Sequence, residues 1–477
     1  MGRHGAWLPA LAGLLLILGA CSPRTTVSYP TPMFTPIPAN TTPTFQPAPG
    51  ASPSTTSSGS ATRTAAASGT SASISNPVPA TPTATHPVMP TTPMASPTLV
   101  PATPTVPPPT PSPAAAAEAK RIFLGYYVPY DSSSWVTLEA HADSIDYVVA
   151  QWTTVDACGN IGSRDDRTLI AFARARGIKV LPSLFTSSAW LNHRLLTEEA
   201  VTSRAIQQLV DYVIAEGYAG LDVDLEDVSA SDRTAYTTFV ARLSTALHQK
   251  SKLLTLALPA KTSDVTTGWG GAFDYAALAQ HLDLAMIMTY AYTIASSQPG
   301  STAPYDWVDR AIAFATSQIP PEKVLLGLAF WGYDWNTTSG APASALRYSQ
   351  AAAIAKQYGV QITKDPATRS ANFTYTAGRD DAPVGQELLP KLNHDISVRS
   401  QPACPVPSPT SRPQPTATAT PTPAPTQHHV VWLEDAESTF EHLAIADKYH
   451  TAGVGAWRLG QEDPAVWPLL SRWRKGS

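Results

Sequence analysis

In the stretch Gly217-Tyr218-Ala219-Gly220-Leu221-Asp222-Val223-Asp224-Leu225-Glu226, apolar residues alternate with carboxylates, the two-residue period of a β-strand. Asp222, Asp224 and Glu226 therefore share one face, and Leu221, Val223 and Leu225 the other. Burying like charges without partners is strongly unfavourable, so a purely structural strand would not carry three of them. Crowded carboxylates raise one another's proton affinity and keep a proton at hand near neutral pH, as general acid catalysis requires. Two other readings stand beside that one. The stretch could be an edge strand with a solvated acidic face, or a divalent-metal site on Asp222 and Asp224, whose oxygens suit Mg²⁺ or Mn²⁺.

Outward from this strand the pattern repeats. Apolar runs predict seven more strands at about 121–128, 145–152, 178–184, 253–258, 284–290, 323–330 and 454–459. Helical spacing falls between them at 165–176, 197–216, 231–249, 275–280, 306–317 and 438–450. Eight strands separated by helices predict an α/β fold, a (β/α)8 TIM barrel occupying 114–477. Between the seventh strand and the last helix, about 335–435 predicts a small α+β insertion, with helical spacing at 344–358 and short strands at 371–375 and 430–433. Residues 401–427 within it form a Pro/Thr-rich tract.

The N-terminal region has another character. Arg3 and His4 precede an apolar run from Leu8 to Leu18 that is too short for an ordinary transmembrane helix and fits an export signal. It ends in Leu18-Gly19-Ala20-Cys21, which resembles a bacterial lipobox. On that reading residues 1–20 are removed, and Cys21 carries the acyl chains that hold the chain on the outer face of the cell membrane. The alternative is a plain secretory signal. Residues 21–113 are Thr, Pro, Ser and Ala with almost no charge, the composition of a disordered linker. Much of the chain's 46 prolines lie in these two tracts. A net charge of −4 with no basic block argues against a nucleic-acid partner. Cys158 and Cys404 remain; an oxidising compartment permits them to pair, but the sequence leaves the pairing open. No Cys/His cluster has metal-ligand spacing.

The acidic strand resembles the DGxDxDxE signature of glycoside hydrolase family 18, through Gly220, Asp222, Asp224 and Glu226, with Ala219 where the family has its first Asp. Met288-Thr289-Tyr290-Ala291 resembles the family's MxYD motif, with Ala291 in place of the Asp. Three further stretches resemble the spore cortex-lytic, peptidoglycan-acting branch: Gly327-Leu328-Ala329-Phe330-Trp331-Gly332-Tyr333-Asp334-Trp335, Val431-Trp432-Leu433-Glu434-Asp435-Ala436 and Trp457-Arg458-Leu459-Gly460. The resemblance runs through about 122–470.

It implies a glycosidase without cofactor, acting as a monomer on a GlcNAc-containing polysaccharide such as peptidoglycan or chitin. In the substrate-assisted retaining mechanism it implies, the substrate's own 2-acetamido oxygen attacks the anomeric carbon. Glu226 is then the acid and base, Asp224 orients the acetamido group, Asp222 supports Asp224, and Tyr290 hydrogen-bonds the N-acetyl group. Trp457 is the expected floor beneath the reacting sugar, with Tyr126 and Trp331 as further substrate-binding residues. A barrel that keeps the cleft but has lost catalysis, a lectin, is the alternative that Ala219 and Ala291 leave open.

Overall fold

A computed structural model describes residues 121–378, 381, 389–406 and 426–476. Residues 1–20, Cys21, the linker 21–113 and most of the Pro/Thr tract lie outside the described residues. The strands, in chain order, are β1 (Ile122–Tyr127), β2 (Tyr147–Val155), β3 (Ile161–Asp166), β4 (Lys179–Thr186), β5 (Gly220–Leu225) and β6 (Leu253–Pro259). They continue as β7 (Leu284–Met288), β8 (Val324–Ala329), β9 (Trp331–Asn336), β10 (Ser344–Arg347) and β11 (Thr363–Lys364). The last are β12 (Ala371–Gly378), β13 (Ile396–Arg399), β14 (Thr426–Leu433) and β15 (Gly453–Trp457).

Eight of these, β1, β2, β4, β5, β6, β7, β8 and β15, pair in parallel, and β15 pairs with β1 to close the ring. The expected (β/α)8 barrel is the observed fold. Its strands are buried on both faces, which is why they are near-continuous apolar runs. Closure brings backbones close at Gly220, where a Cβ would lie 2.2 Å from the Leu253 carbonyl oxygen, so no larger residue fits there.

Local structure departs from the sequence reading where polar residues take specific partners. The segment 165–176 begins as strand, not helix, because β3, after its hairpin with β2 through Ser163, pairs Asp165 and Asp166 with Ser397 and Ile396 of β13. Asp166 then caps the helix Arg167–Ala175 by accepting the Leu169 N–H at 2.9 Å. The expected helix 197–216 is the second of two, Ala189–Thr197 and Glu199–Ala215, divided at Glu198, which adopts extended backbone. Residues 344–347 are strand β10 paired with β9, and the helix starts at Tyr348.

After β8 the chain leaves the barrel for a five-stranded antiparallel sheet, ordered β10-β9-β14-β12-β11, on which the helix Tyr348–Tyr358 packs through Ala351, Ile354 and Ala355. Strand β13 leaves this sheet and pairs antiparallel with β3. His394 Nδ1 meets Asp166 at 2.6 Å, and a Cys158–Cys404 disulfide, with Cα atoms 5.7 Å apart, ties the same segment to the β2–β3 turn.

Two buried polar clusters join insertion and barrel. Asp131, after β1, accepts from Arg458, after β15, and from Arg347 of the insertion, each at 2.6 Å. Burial pushes this carboxyl up, but the two guanidinium groups outweigh it and hold it at about 2. Glu434, at the end of β14, accepts at 2.8 Å from Ser370 and at 3.4 Å from Ser301, which follows β7. Among the described residues no cation faces it closely, and burial pushes its carboxyl up from 4.5 to about 8 despite those hydroxyl donors.

A carboxyl that holds its proton more tightly folded than unfolded contributes stability that is full below about pH 4.5 and is lost as pH rises through about 8. Glu434→Gln, which stays neutral, should therefore lose less Tm than the parent protein when pH is raised from about 6 to about 9. Thermal unfolding at both values checks this, and equal losses in the two proteins would contradict it.

Candidate active site

Parallel register brings the groups around Asp222 together. On β4, Ser183 stands level with Asp222, and on β6 so does Thr255. Their hydroxyls donate to the carboxylate at 2.8 and 2.6 Å, and Tyr126 adds a longer contact at 3.3 Å from β1, across the barrel. Burial raises this carboxyl to about 6, and the three hydroxyl donors limit the rise. The strand is interior, between β4 and β6, and wholly buried, which overturns the edge-strand reading.

Asp224 is one pleat further toward the C-terminal end of β5, where such barrels build their sites. It is 4% exposed, and its Oδ1 has no hydrogen-bond partner among the described residues. Burial, then the neighbouring Glu226 and Asp222 carboxylates, push its proton affinity well above the ordinary range. Glu226 is the first residue past the strand and is half-buried. Burial and the charge of Asp227 raise its carboxyl to about 7. The three carboxyls therefore do not ionise independently, and the Asp224–Glu226 pair retains a proton at neutral pH.

Around them stand the aromatic candidates. Tyr290, just past β7, is 8% exposed, and burial and the three carboxylates hold its phenol in the protonated state. Trp331 is buried behind it, the ring centroids 5.1 Å apart at 76°. Trp457, at the end of β15, is half-buried, packs on Tyr126 at 5.4 Å and is followed by a cis peptide bond to Arg458. Tyr126 is fully buried, its hydroxyl directed at Asp222. Ala291 has a left-handed backbone (φ 61°), with its N–H given to Thr302 Oγ1 at 3.1 Å. Ala219 lies at the opposite end of β5, its carbonyl accepting from Leu253 N–H, away from Asp224 and Glu226. Cys21 is outside the described residues.

Asp222, Asp224, Glu226, Tyr126, Tyr290 and Trp457 thus converge on one end of the barrel. Ser183, Thr255 and Asn192 belong with them and escaped the sequence reading, because only strand register and helix packing bring them to the carboxylates. The metal reading loses its ligand set. The three carboxylates do not form a cluster of metal-ligating geometry, and the oxygens of Asp222 are occupied by hydroxyl donors. Among the described residues that geometry occurs at Asp156, Cys158 and Cys404, whose two sulfurs are bonded to each other.

Known proteins share this architecture. The chain is 22% identical over 369 residues to "Uncharacterized glycosylase YvbX" of Bacillus subtilis, covering 76% of this chain and 93% of that protein. It is 26% identical over 285 residues to the "Cortical fragment-lytic enzyme" of the same organism, covering 59% of this chain and 56% of that one, little more than half its length. The crystal structure of a chitinase from Chromobacterium violaceum superposes with a TM-score of 0.60 at 24% identity, over 74% of this chain and 98% of that one, a likeness of fold. The family model for glycosyl hydrolases family 18 matches residues 122–462. The chain belongs to glycosyl hydrolases family 18.

Proposed function

We infer that the protein hydrolyses β-1,4 bonds in GlcNAc-containing glycans, of the peptidoglycan or chitin type, with the substrate's own acetamido group as nucleophile. The observation that carries this reading is Asp224, a buried carboxyl between two others, with one oxygen that has no partner among the described residues. A second protein carboxylate placed to attack would imply a covalent intermediate on the enzyme; an acetamido N–H held by Asp224 implies attack by the substrate instead. Glu226, carrying a proton to about pH 7, donates it to the leaving oxygen and then takes one from the attacking water. As Glu226 gives up its proton, Asp222 and Asp224 share the remaining charge, and Asp224 steadies the acetamido group as it becomes cationic. Tyr290, kept protonated, is placed to donate to the acetamido oxygen. Trp457 offers its face to the sugar, with Tyr126 and Trp331 fixing Trp457 and Tyr290 from behind.

The cortical fragment-lytic relative favours peptidoglycan as the polymer. We extend the proposal to an exported protein, held at the outer face of the membrane by acyl chains on Cys21 and acting as a monomer.

Full-length protein and Glu226→Gln, incubated with GlcNAc oligomers and with purified peptidoglycan and followed by mass spectrometry, test this. Cleavage should fall by about 10²–10⁴-fold in the variant. Binding of oligomers without cleavage by either protein would favour the lectin reading. The pH profile gives a second check. Asp227→Asn removes a charge that raises the Glu226 carboxyl, while Asn also tolerates left-handed backbone. Glu226 should then lose its proton at lower pH, moving the alkaline limb of kcat/KM down by about half a unit to one unit. An unmoved limb would show that Asp227 does not tune the acid.

A further inference from the structure

Asn192 is a polar side chain with no exposure at all, on a helix face where Leu195 and Leu196 are its buried neighbours. The helix Ala189–Thr197 follows β4 and starts at Ser188, whose hydroxyl accepts the Leu191 N–H at 3.3 Å. That cap fixes the helix against the end of the barrel and aims Asn192 at the chain leaving β5. Its Nδ2 donates to the Glu226 carbonyl at 2.5 Å, and its Oδ1 has no partner among the described residues. An amide buried with half its hydrogen-bonding capacity unused is poorly explained by packing, since leucine has nearly the same shape and no polar atoms to satisfy.

What the amide holds is a left-handed turn. Glu226 N–H donates to the Thr186 carbonyl at 2.8 Å, so both backbone polar groups of Glu226 are tied, one to β4 and one to the helix after it. The next residue, Asp227, has φ 56°, a left-handed conformation that aspartate adopts more readily than most non-glycine residues and that sets the direction in which the chain leaves Glu226. The neighbouring helix residue, His193, meets both carboxylate oxygens of Asp232 at 3.0 Å. Two consecutive residues of one helix thus grip both ends of the segment 226–232.

We propose that Asn192 is a positioning residue, whose amide fixes the Glu226–Asp227 turn so that the Glu226 carboxyl stays inside the cleft. The inference rests on the reading of Glu226 as the acid, but the placement of the carboxyl can be measured without turnover. Its proton affinity reports its burial, because burial is the largest influence on it. The titratable groups that act on it are Asp224 on β5, Tyr290 after β7 and Asp227 beside it, while Asp222 on β5, Tyr126 on β1 and Tyr236 on the helix Arg233–His248 interact with Asp224.

The experiment is a carboxyl ¹³C NMR titration of the full-length, glutamate-labelled protein, with the Glu226 resonance identified by its loss in Glu226→Gln. Asn192→Leu should lower the Glu226 midpoint by about one unit as the turn relaxes and the carboxyl reaches water. On GlcNAc oligomers the same variant should lose on the order of 10–100-fold in kcat, with KM within about twofold. Asn192→Asp keeps the shape and regains a donor when protonated, so its activity relative to the parent should climb as pH falls. It also serves if the leucine variant does not fold: its Glu226 resonance should reach the parent's position only on the acid side. An unchanged midpoint and unchanged kcat in Asn192→Leu, or an Asn192→Asp variant indistinguishable from the parent at all pH values, would overturn the proposal. If the parent protein cleaves no GlcNAc oligomer, the substrate reading fails, while the NMR midpoint still decides the role of Asn192.

Discussion

The interaction on which the site depends is the one at Asp222. A carboxylate at the centre of a closed barrel has no water to solvate it, and here Ser183 and Thr255 replace that water from the two strands alongside. Their positions follow from parallel register: a one-residue slip of β4 or β6 would turn the hydroxyl away from the lumen and leave the charge unsupported. With Asp222 satisfied, Asp224 above it can remain unsatisfied, and its proton affinity rises because it is buried and its neighbours Glu226 and Asp222 are acidic. Reactivity is thus concentrated where solvation is withheld, one pleat above the place where it is supplied.

Much of this was legible from residue order. The alternation in β5 put three carboxylates on one face, and buried parallel strands show up as apolar runs, so the barrel and its central acids could be read directly. What could not be read depends on partners distant in sequence. The strand β3 carries Arg164, Asp165 and Asp166, a polar run without strand character, and is held by β2 and β13. Asp165 takes hydroxyl hydrogen bonds from Ser163, Tyr212 and Tyr218, which makes burial of so polar a strand tolerable. Asn192 fell between the expected strand 178–184 and the expected helix 197–216, and nothing in Ala189–Thr197 indicates that its fourth position meets the residue after β5. The Cys158–Cys404 pairing stayed open for the same reason: 246 residues separate the two.

The insertion is joined to the barrel by chemically different contacts. At Asp131, two guanidinium groups surround one carboxylate, an arrangement that favours the charged form. At Glu434, hydroxyls surround a carboxyl with no close cation, which favours the neutral form. Arg458 follows Trp457 directly and meets Asp131 together with Arg347 of the insertion, so one carboxylate links the insertion to the chain leaving β15.

The disulfide divides the chain topologically as well as fastening it. Cys158 and Cys404 close a covalent ring that contains β3 to β13, and so the whole acidic strand with its partners Ser183 and Thr255. The strands β1, β2, β14 and β15 lie outside the ring, and β1 and β15 meet at the seam that completes the barrel. A backbone cut within the ring leaves the protein in one covalent piece until it is reduced. A cut between residues 406 and 426 instead frees a C-terminal fragment that carries Trp457 and is held by packing, hydrogen bonds and ion pairs such as Arg458–Asp131. The acidic strand and Trp457 thus belong to parts of one chain that a single cut there would leave joined by noncovalent contacts alone.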